Sequence, residues 1–206
     1  MRIEELRDRL QRRASALVDP VVRRLARSGI TPDSVTCAGL ALAAVAAACL
    51  AAGMLRTAGV VWFVGSALDM LDGALARHTG TVNRGGAFLD SSLDRIGEGL
   101  LLTAAVYHFS GEGMTLAAAV STWALLASLM VSYTRARAEG LGAACRTGLA
   151  TRAERVILLG LGLVFELLAA AVAVLAVLAT ITTVQRLLHV RAALAVDERD
   201  NAESGK

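Results

Sequence analysis

Apolar residues in this chain fall in long runs broken by short polar turns. That is the pattern of helices that bury every face rather than one stripe. The first run, Ser34 to Met54, is rich in alanine and long enough to cross the roughly 30 Å apolar core of a bilayer. A second runs from Ala58 to Ala76, a third from about Gly86 to Phe109, and a fourth from about Met114 to Tyr133. His78 to Gly85, Ser110 to Gly113 and Gly140 to Thr151 read as polar connections. From Val156 to Val184 the chain is almost continuously apolar, longer than one crossing and short for two, with Glu166 the only charge inside. This stretch divides into spans over Ala153–Leu167 and Leu168–Leu188, with a tight turn near Glu166.

The pattern changes at both ends. Ile3, Leu6, Leu10, Ala14 and Leu17 recur at helical spacing, with Glu4, Arg7, Asp8, Arg12 and Arg13 between them. The segment continues past Pro20 through Val21 to Ala26, and predicts a basic amphipathic helix lying along a membrane surface. Gly29 suits a helix end, and Thr31 with Pro32 suits the start of the next helix. The expected fold is an all-α integral membrane protein, with six transmembrane helices preceded by an N-terminal amphipathic juxtamembrane helix. Its parts are a cytoplasmic juxtamembrane segment over 1–28, a six-span domain over 29–190 and a polar C-terminal tail over 191–206.

Composition agrees with membrane spans, since 55% of the residues are hydrophobic. Lys206 is the only lysine, so the basic charge is arginine. The first 34 residues hold eight arginines and no central apolar run, which predicts no cleavable signal peptide. Cys37 and Cys49 lie in an apolar span and Cys145 in a loop, so a disulfide framework is not expected. No module combining aromatic and basic residues points to nucleic acid. The arginines also orient the spans. They gather before the first span, at Arg77 and Arg84, at Arg135, Arg137, Arg146, Arg152 and Arg155, and at Arg186 and Arg191. The alternate connections hold Arg56 or none. Six spans in a cell membrane, with both termini cytoplasmic, satisfy the positive-inside rule throughout.

Against this background four carboxylates stand out. Asp69 and Asp72 are spaced i,i+3 near the end of the second span, and Asp90 and Asp94 are spaced i,i+4 near the start of the third. On helices each pair lies on one face. A single carboxylate near a bilayer centre costs roughly 2.5–3.5 kcal/mol, so four without a counter-charge would cost on the order of 10 kcal/mol. Arg77, Arg84 and Arg95 cannot neutralise all four. Clustered oxygen ligands suit Mg²⁺, Mn²⁺ or Ca²⁺. Two divalent ions sharing four carboxylates serve in-line displacement at phosphorus.

The stretch as a whole reads D-x2-D-G-x2-A-R-x8-G-x3-D-x3-D, with Asp69, Asp72, Gly73, Ala76, Arg77, Gly86, Asp90 and Asp94 at the fixed positions. In this it resembles the signature of the CDP-alcohol phosphotransferases. The phrase Gly29-x-Thr31-Pro32-x-x-Val35-Thr36 is also typical of that family. The resemblance implies cleavage of a CDP-linked lipid, with CMP leaving and the lipid phosphate passing to an acceptor hydroxyl. It implies that Asp69, Asp72, Asp90 and Asp94 hold two ions, Mg²⁺ or Mn²⁺, with Asp94 also the general base. It further implies that Gly73, Ala76, Arg77 and Gly86 receive the CDP moiety, the glycines leaving the backbone open to close approach. Close helix packing is the other use of such small residues.

A second basic cluster bears on the acceptor. Arg135 and Arg137 continue the fourth helix, Arg152 and Arg155 open the fifth, and Arg186 lies near the end of the sixth. Arginines converging from separate helices would make an anion pocket, which favours an acceptor carrying its own phosphate. Ser132 to Glu139, Thr151 to Ile157 and Val184 to Leu187 resemble segments of the phosphatidylinositol phosphate synthase branch and its archaeal relatives. That implies inositol phosphate as acceptor, CDP-diacylglycerol as donor and a homodimer. Thr151 and Ala153 stand where those segments have Glu and Pro, so glycerol 3-phosphate, as in the phosphatidylglycerophosphate synthases, is the alternative. A cation transporter is the reading from another class, and the grouping of the acids at one membrane face argues against a conduit.

Overall fold

The computed structural model describes residues 19–145 and 147–204. The expected amphipathic helix over Ile3 to Leu17 lies outside the described residues. The described chain is helical, and no strand occurs among the described residues. Residues 19–27 are helical (α1). Six longer elements follow: α2 (Pro32–Ala51), α3 (Leu55–Thr79), α4 (Arg84–Gly111), α5 (Thr115–Gly140), α6 (Arg152–Val164) and α7 (Leu168–Ser204).

The helix ends follow from local chemistry. Gly29 takes φ 74° after α1, a conformation that would strain a residue with a Cβ. The Thr31 hydroxyl accepts the Ser34 N–H at 3.3 Å, capping α2 just ahead of Pro32. Asn83 caps α4 in the same way, accepting the Gly86 N–H at 2.8 Å. The turn expected near Glu166 is present, and that residue sits at φ 59°. Around it the Glu166 N–H donates to the Leu163 carbonyl at 3.1 Å, and the Leu167 N–H to Gly162 at 2.7 Å. This paired closure satisfies the last carbonyls of α6 before α7 begins.

Among the described residues, four helices are long and apolar enough to cross a membrane: α2, α3, α5 and the Leu168–Ala195 part of α7. The other two expected spans differ for physical reasons. α4 carries Arg84, Asp90, Asp94, Arg95 and Glu98 on its 28 residues. α6 has only 13 residues, about 20 Å of rise. α7 does not stop near Leu188 but continues to Ser204.

The chain forms two compact units. The first comprises the chain up to Val45 together with Val61–Glu98. In it α1 docks through Val22, Leu25 and Ala26 onto Val35, Leu68, Leu71 and Leu75. Gly65 of α3 lies so close to α2 that a Cβ there would stand 3.1 Å from the Leu42 Cβ and 3.3 Å from the Gly39 carbonyl. Small residues at helix contacts let backbones approach, which serves packing between helices in lipid. The second unit comprises Ala46–Val60 and Gly99–Lys206. There α7 packs against both α5 and α6. The Trp123 indole N–H donates to the Thr180 hydroxyl at 2.9 Å, joining α5 to α7.

Candidate active site

The acids take their positions from the helices that carry them. Asp69 and Asp72 lie on one face of α3, and Asp90 and Asp94 on one face of α4. A cavity of about 450 Å³ opens in the first unit. From α3 it is lined by Asp72, Gly73, Ala76 and Arg77, and from α4 by Gly86 and Asp90. Six of the eight signature residues therefore meet in one cavity. Asp69 stands about one turn before Asp72 and Asp94 one turn after Asp90, both outside its lining. Thr31, Pro32, Asp33 and Thr36, from the start of α2, complete the adjacent wall.

Asp72 is the most enclosed of the four, 5% exposed. Its Oδ2 accepts the Thr36 hydroxyl at 2.7 Å, and its Oδ1 accepts the Gly73 N–H. Asp90 and Asp69 are near enough to add repulsion to its burial. Arg77 is exposed at the mouth, and a Cβ on Gly73 would meet its guanidinium at 3.4 Å. Asp69 lies against Gly39 of α2, where a Cβ would collide with its Oδ1. Two residues here were not foreseen. In the sequence Thr36 belongs only to a helix-start phrase. Glu98 is buried one turn beyond Asp94, and the i+4 repeat of Asp90, Asp94 and Glu98 was a legible signal for it.

The donor set suits a divalent cation in its chemistry. It is made of carboxylates alone, and each Asp72 oxygen accepts one hydrogen bond and keeps a second lone pair. Among the described residues, no group of three or more His, Cys, Asp or Glu is already drawn to metal-holding distances. The structure gathers the acids in pairs.

The second unit assembles the arginines. Arg155 of α6 and Arg186 of α7 are both buried, each 4% exposed. Both tie down the loop between α5 and α6. The Arg155 Nη1 donates to the Ala150 carbonyl at 3.1 Å, and the Arg186 Nε to the Thr147 carbonyl at 2.8 Å. Arg186 also reaches the Val131 carbonyl of α5. Arg135 and Arg155 are close enough to Arg186 to repel its charge. Arg135 pairs with Glu139 at 2.8 Å. Three guanidiniums from three helices thus lie within reach of one another's charge. Arg137 and Arg152 are placed differently. Arg137 lines a groove with Arg186 and Arg191 between α5 and α7, and Arg152 is half-buried one turn before Arg155.

Helices α3 and α4 thus bring one carboxylate of each pair, Asp72 and Asp90, to a cavity of ligand size, in a chain with several membrane-crossing candidates. The family model for CDP-alcohol phosphatidyltransferase matches residues 29–190, and the chain belongs to that family and is an enzyme of its class. It is 37% identical over 179 residues to an archaetidylinositol phosphate synthase of Methanothermobacter thermautotrophicus, covering 84% of this chain and 88% of that one. It is 35% identical over 200 residues to the phosphatidylinositol phosphate synthase of Mycobacteroides abscessus, covering 92% and 91%. The crystal structure of Mycobacterium tuberculosis phosphatidylinositol phosphate synthase with CDP-DAG bound superposes with a TM-score of 0.79 at 32% identity, covering 85% of this chain and 94% of that one. The same enzyme in complex with manganese and citrate gives a TM-score of 0.77 at 32% identity, over 84% and 88%.

Proposed function

We propose that this protein transfers the phosphatidyl group of CDP-diacylglycerol to inositol phosphate, releasing CMP and forming phosphatidylinositol phosphate. The observation that carries the acceptor is the convergence of Arg135, Arg155 and Arg186. Glu139 offsets one of these charges and backbone carbonyls hold the other two guanidiniums, and a phosphate monoester is an anion that several guanidiniums bind together. The matched relatives named for inositol phosphate products support the same acceptor.

Asp69, Asp72, Asp90 and Asp94 would hold the divalent ions, Mg²⁺ or Mn²⁺, and a neighbour solved with manganese supports this. Such ions supply neutralisation of the pyrophosphate and of the leaving phosphate. The remaining work falls to the chain. Arg77 at the cavity mouth contacts the nucleotide phosphates, while Gly73, Ala76 and Gly86 leave room for the CDP moiety. Asp94 accepts the proton of the acceptor hydroxyl. That oxygen forms a bond to the phosphorus bearing the diacylglycerol, and the bond from this phosphorus to CMP breaks, the electron pair leaving with CMP. Arg135, Arg155 and Arg186 hold the acceptor's own phosphate, with Arg137 and Arg152 at the margin. The reading includes six spans, cytoplasmic termini and a homodimer. The arginine distribution supports the first two, and family resemblance supports the third.

The test is CMP release by the purified protein with Mg²⁺ and CDP-diacylglycerol, offering inositol phosphate, glycerol 3-phosphate, free inositol and serine in parallel. Selective turnover with inositol phosphate is expected. Selectivity for glycerol 3-phosphate would keep the donor chemistry and overturn the acceptor.

A further inference from the structure

Thr36 and Gly39 are three residues apart on α2, so they share one face. Asp69 and Asp72 are three apart on α3. The two pairs meet in reverse order, Thr36 against Asp72 and Gly39 against Asp69. The Thr36 hydroxyl lies 2.7 Å from Asp72 Oδ2 and 3.1 Å from the Pro32 carbonyl of its own helix. A helical threonine ordinarily gives its one proton to that backbone carbonyl. Here the shorter contact is to the carboxylate, and hydrogen bonds to a charged acceptor are the stronger kind. Thr36 is 4% exposed and Asp72 is 5% exposed, so little of this pair faces bulk water. At Gly39 the absent side chain does the same service by shape, because a methyl there would occupy the position of Asp69 Oδ1.

We infer that α2 is the template that sets the first acid pair, with Thr36 and Gly39 acting as positioning residues for the cation ligands Asp72 and Asp69. This rests on the metal-holding role proposed for those acids. Outer partners that orient a ligating carboxylate commonly change metal affinity by about 10–100-fold when removed. Thr36 fixes one oxygen of Asp72 while the Gly73 N–H fixes the other, so the carboxylate presents its remaining lone pairs in one orientation.

Mn²⁺ binding to the purified full-length protein tests this without any substrate, read as loss of the free-ion EPR signal on titration. Thr36→Val keeps the shape and removes the hydroxyl, and Thr36→Ser restores it. The expected result is Mn²⁺ affinity weakened about tenfold or more in Thr36→Val and recovered to within about threefold in Thr36→Ser. Gly39→Ala is expected to weaken binding at least as much as Thr36→Val does. Should that variant misfold, the Thr36 pair decides alone. Wild-type affinity in Thr36→Val, or equal weakening in Val and Ser, overturns the positioning role while leaving the metal site standing. A wild-type protein that takes up no Mn²⁺ overturns the metal site and the positioning role together.

Discussion

Asp94 is the side chain on which turnover is expected to depend most sharply. Asparagine at this position keeps the size and offers a cation one carbonyl oxygen, but it cannot accept the proton of an attacking hydroxyl. Asp94→Asn is therefore expected to lower kcat by about 10²–10⁴-fold, with CDP-diacylglycerol binding still measurable by ligand-induced thermal stabilisation. Turnover near wild type would remove Asp94 as base. Arg155 belongs to the other half of the chemistry. Losing one charge-assisted contact to a phosphate is worth about 1.5–3 kcal/mol, so Arg155→Ala should raise the acceptor KM by roughly 10–100-fold. The KM for CDP-diacylglycerol should stay within about threefold, and equal rises in both would assign Arg155 to the donor site or to folding. The spacing of the acids was legible because helix geometry alone puts i,i+3 and i,i+4 pairs on one face. Thr36 was not legible, because its partner Asp72 lies 36 residues away and the local default for a helical threonine is its own backbone.

At the scale of elements, the loop before α6 is built into the arginine cluster by α7. The Thr182 hydroxyl accepts the Leu149 N–H at 3.1 Å and the Ala150 N–H at 3.0 Å, and Thr182 is wholly buried. Thr182→Val keeps the volume and strands the buried Ala150 N–H, at about 1–3 kcal/mol, along with the part-buried Leu149 N–H. The expected outcome is a Tm lower by several degrees and a raised acceptor KM, with CDP-diacylglycerol binding unchanged. An unaltered acceptor KM would show that the loop's anchoring has no part in acceptor binding. The junction between α1 and α2 could be read from the chain, since Gly29 suits a helix end and Thr31 with Pro32 a helix start. The far end of α7 could not. Residues 191–204 are polar, which suggests a tail, yet they include neither Gly nor Pro and are rich in Ala, with Glu and Arg besides. Those residues extend a helix that tertiary packing has already begun.

At the scale of the whole molecule the number of crossings turns on α4, long but charged, and on α6, apolar but short. The α6 rise of roughly 20 Å falls short of the about 30 Å apolar core of a bilayer. Two contacts nevertheless place its far end level with the start of α3. A Cβ on Gly59 would stand 2.9 Å from the Leu163 Cβ, and Arg56 pairs with Glu166 at 3.1 Å. The pair is largely exposed and adds at most about 1 kcal/mol, so its value is as a marker of position. Arg56 lies at the start of α3, and in the proposed topology, which has the α2–α3 connection on the outer face, Glu166 would lie on that face as well. A short helix can reach it where the bilayer thins around it or flanking residues extend toward the surface. In a cysteine-free background, Glu112→Cys and Glu166→Cys are expected to react with an impermeant maleimide from outside intact cells. Gly142→Cys and Ser204→Cys should react only in inverted vesicles. Labelling of residue 204 from outside, with 142 still inside, would mean that α6 turns back without crossing and that the chain spans the membrane five times.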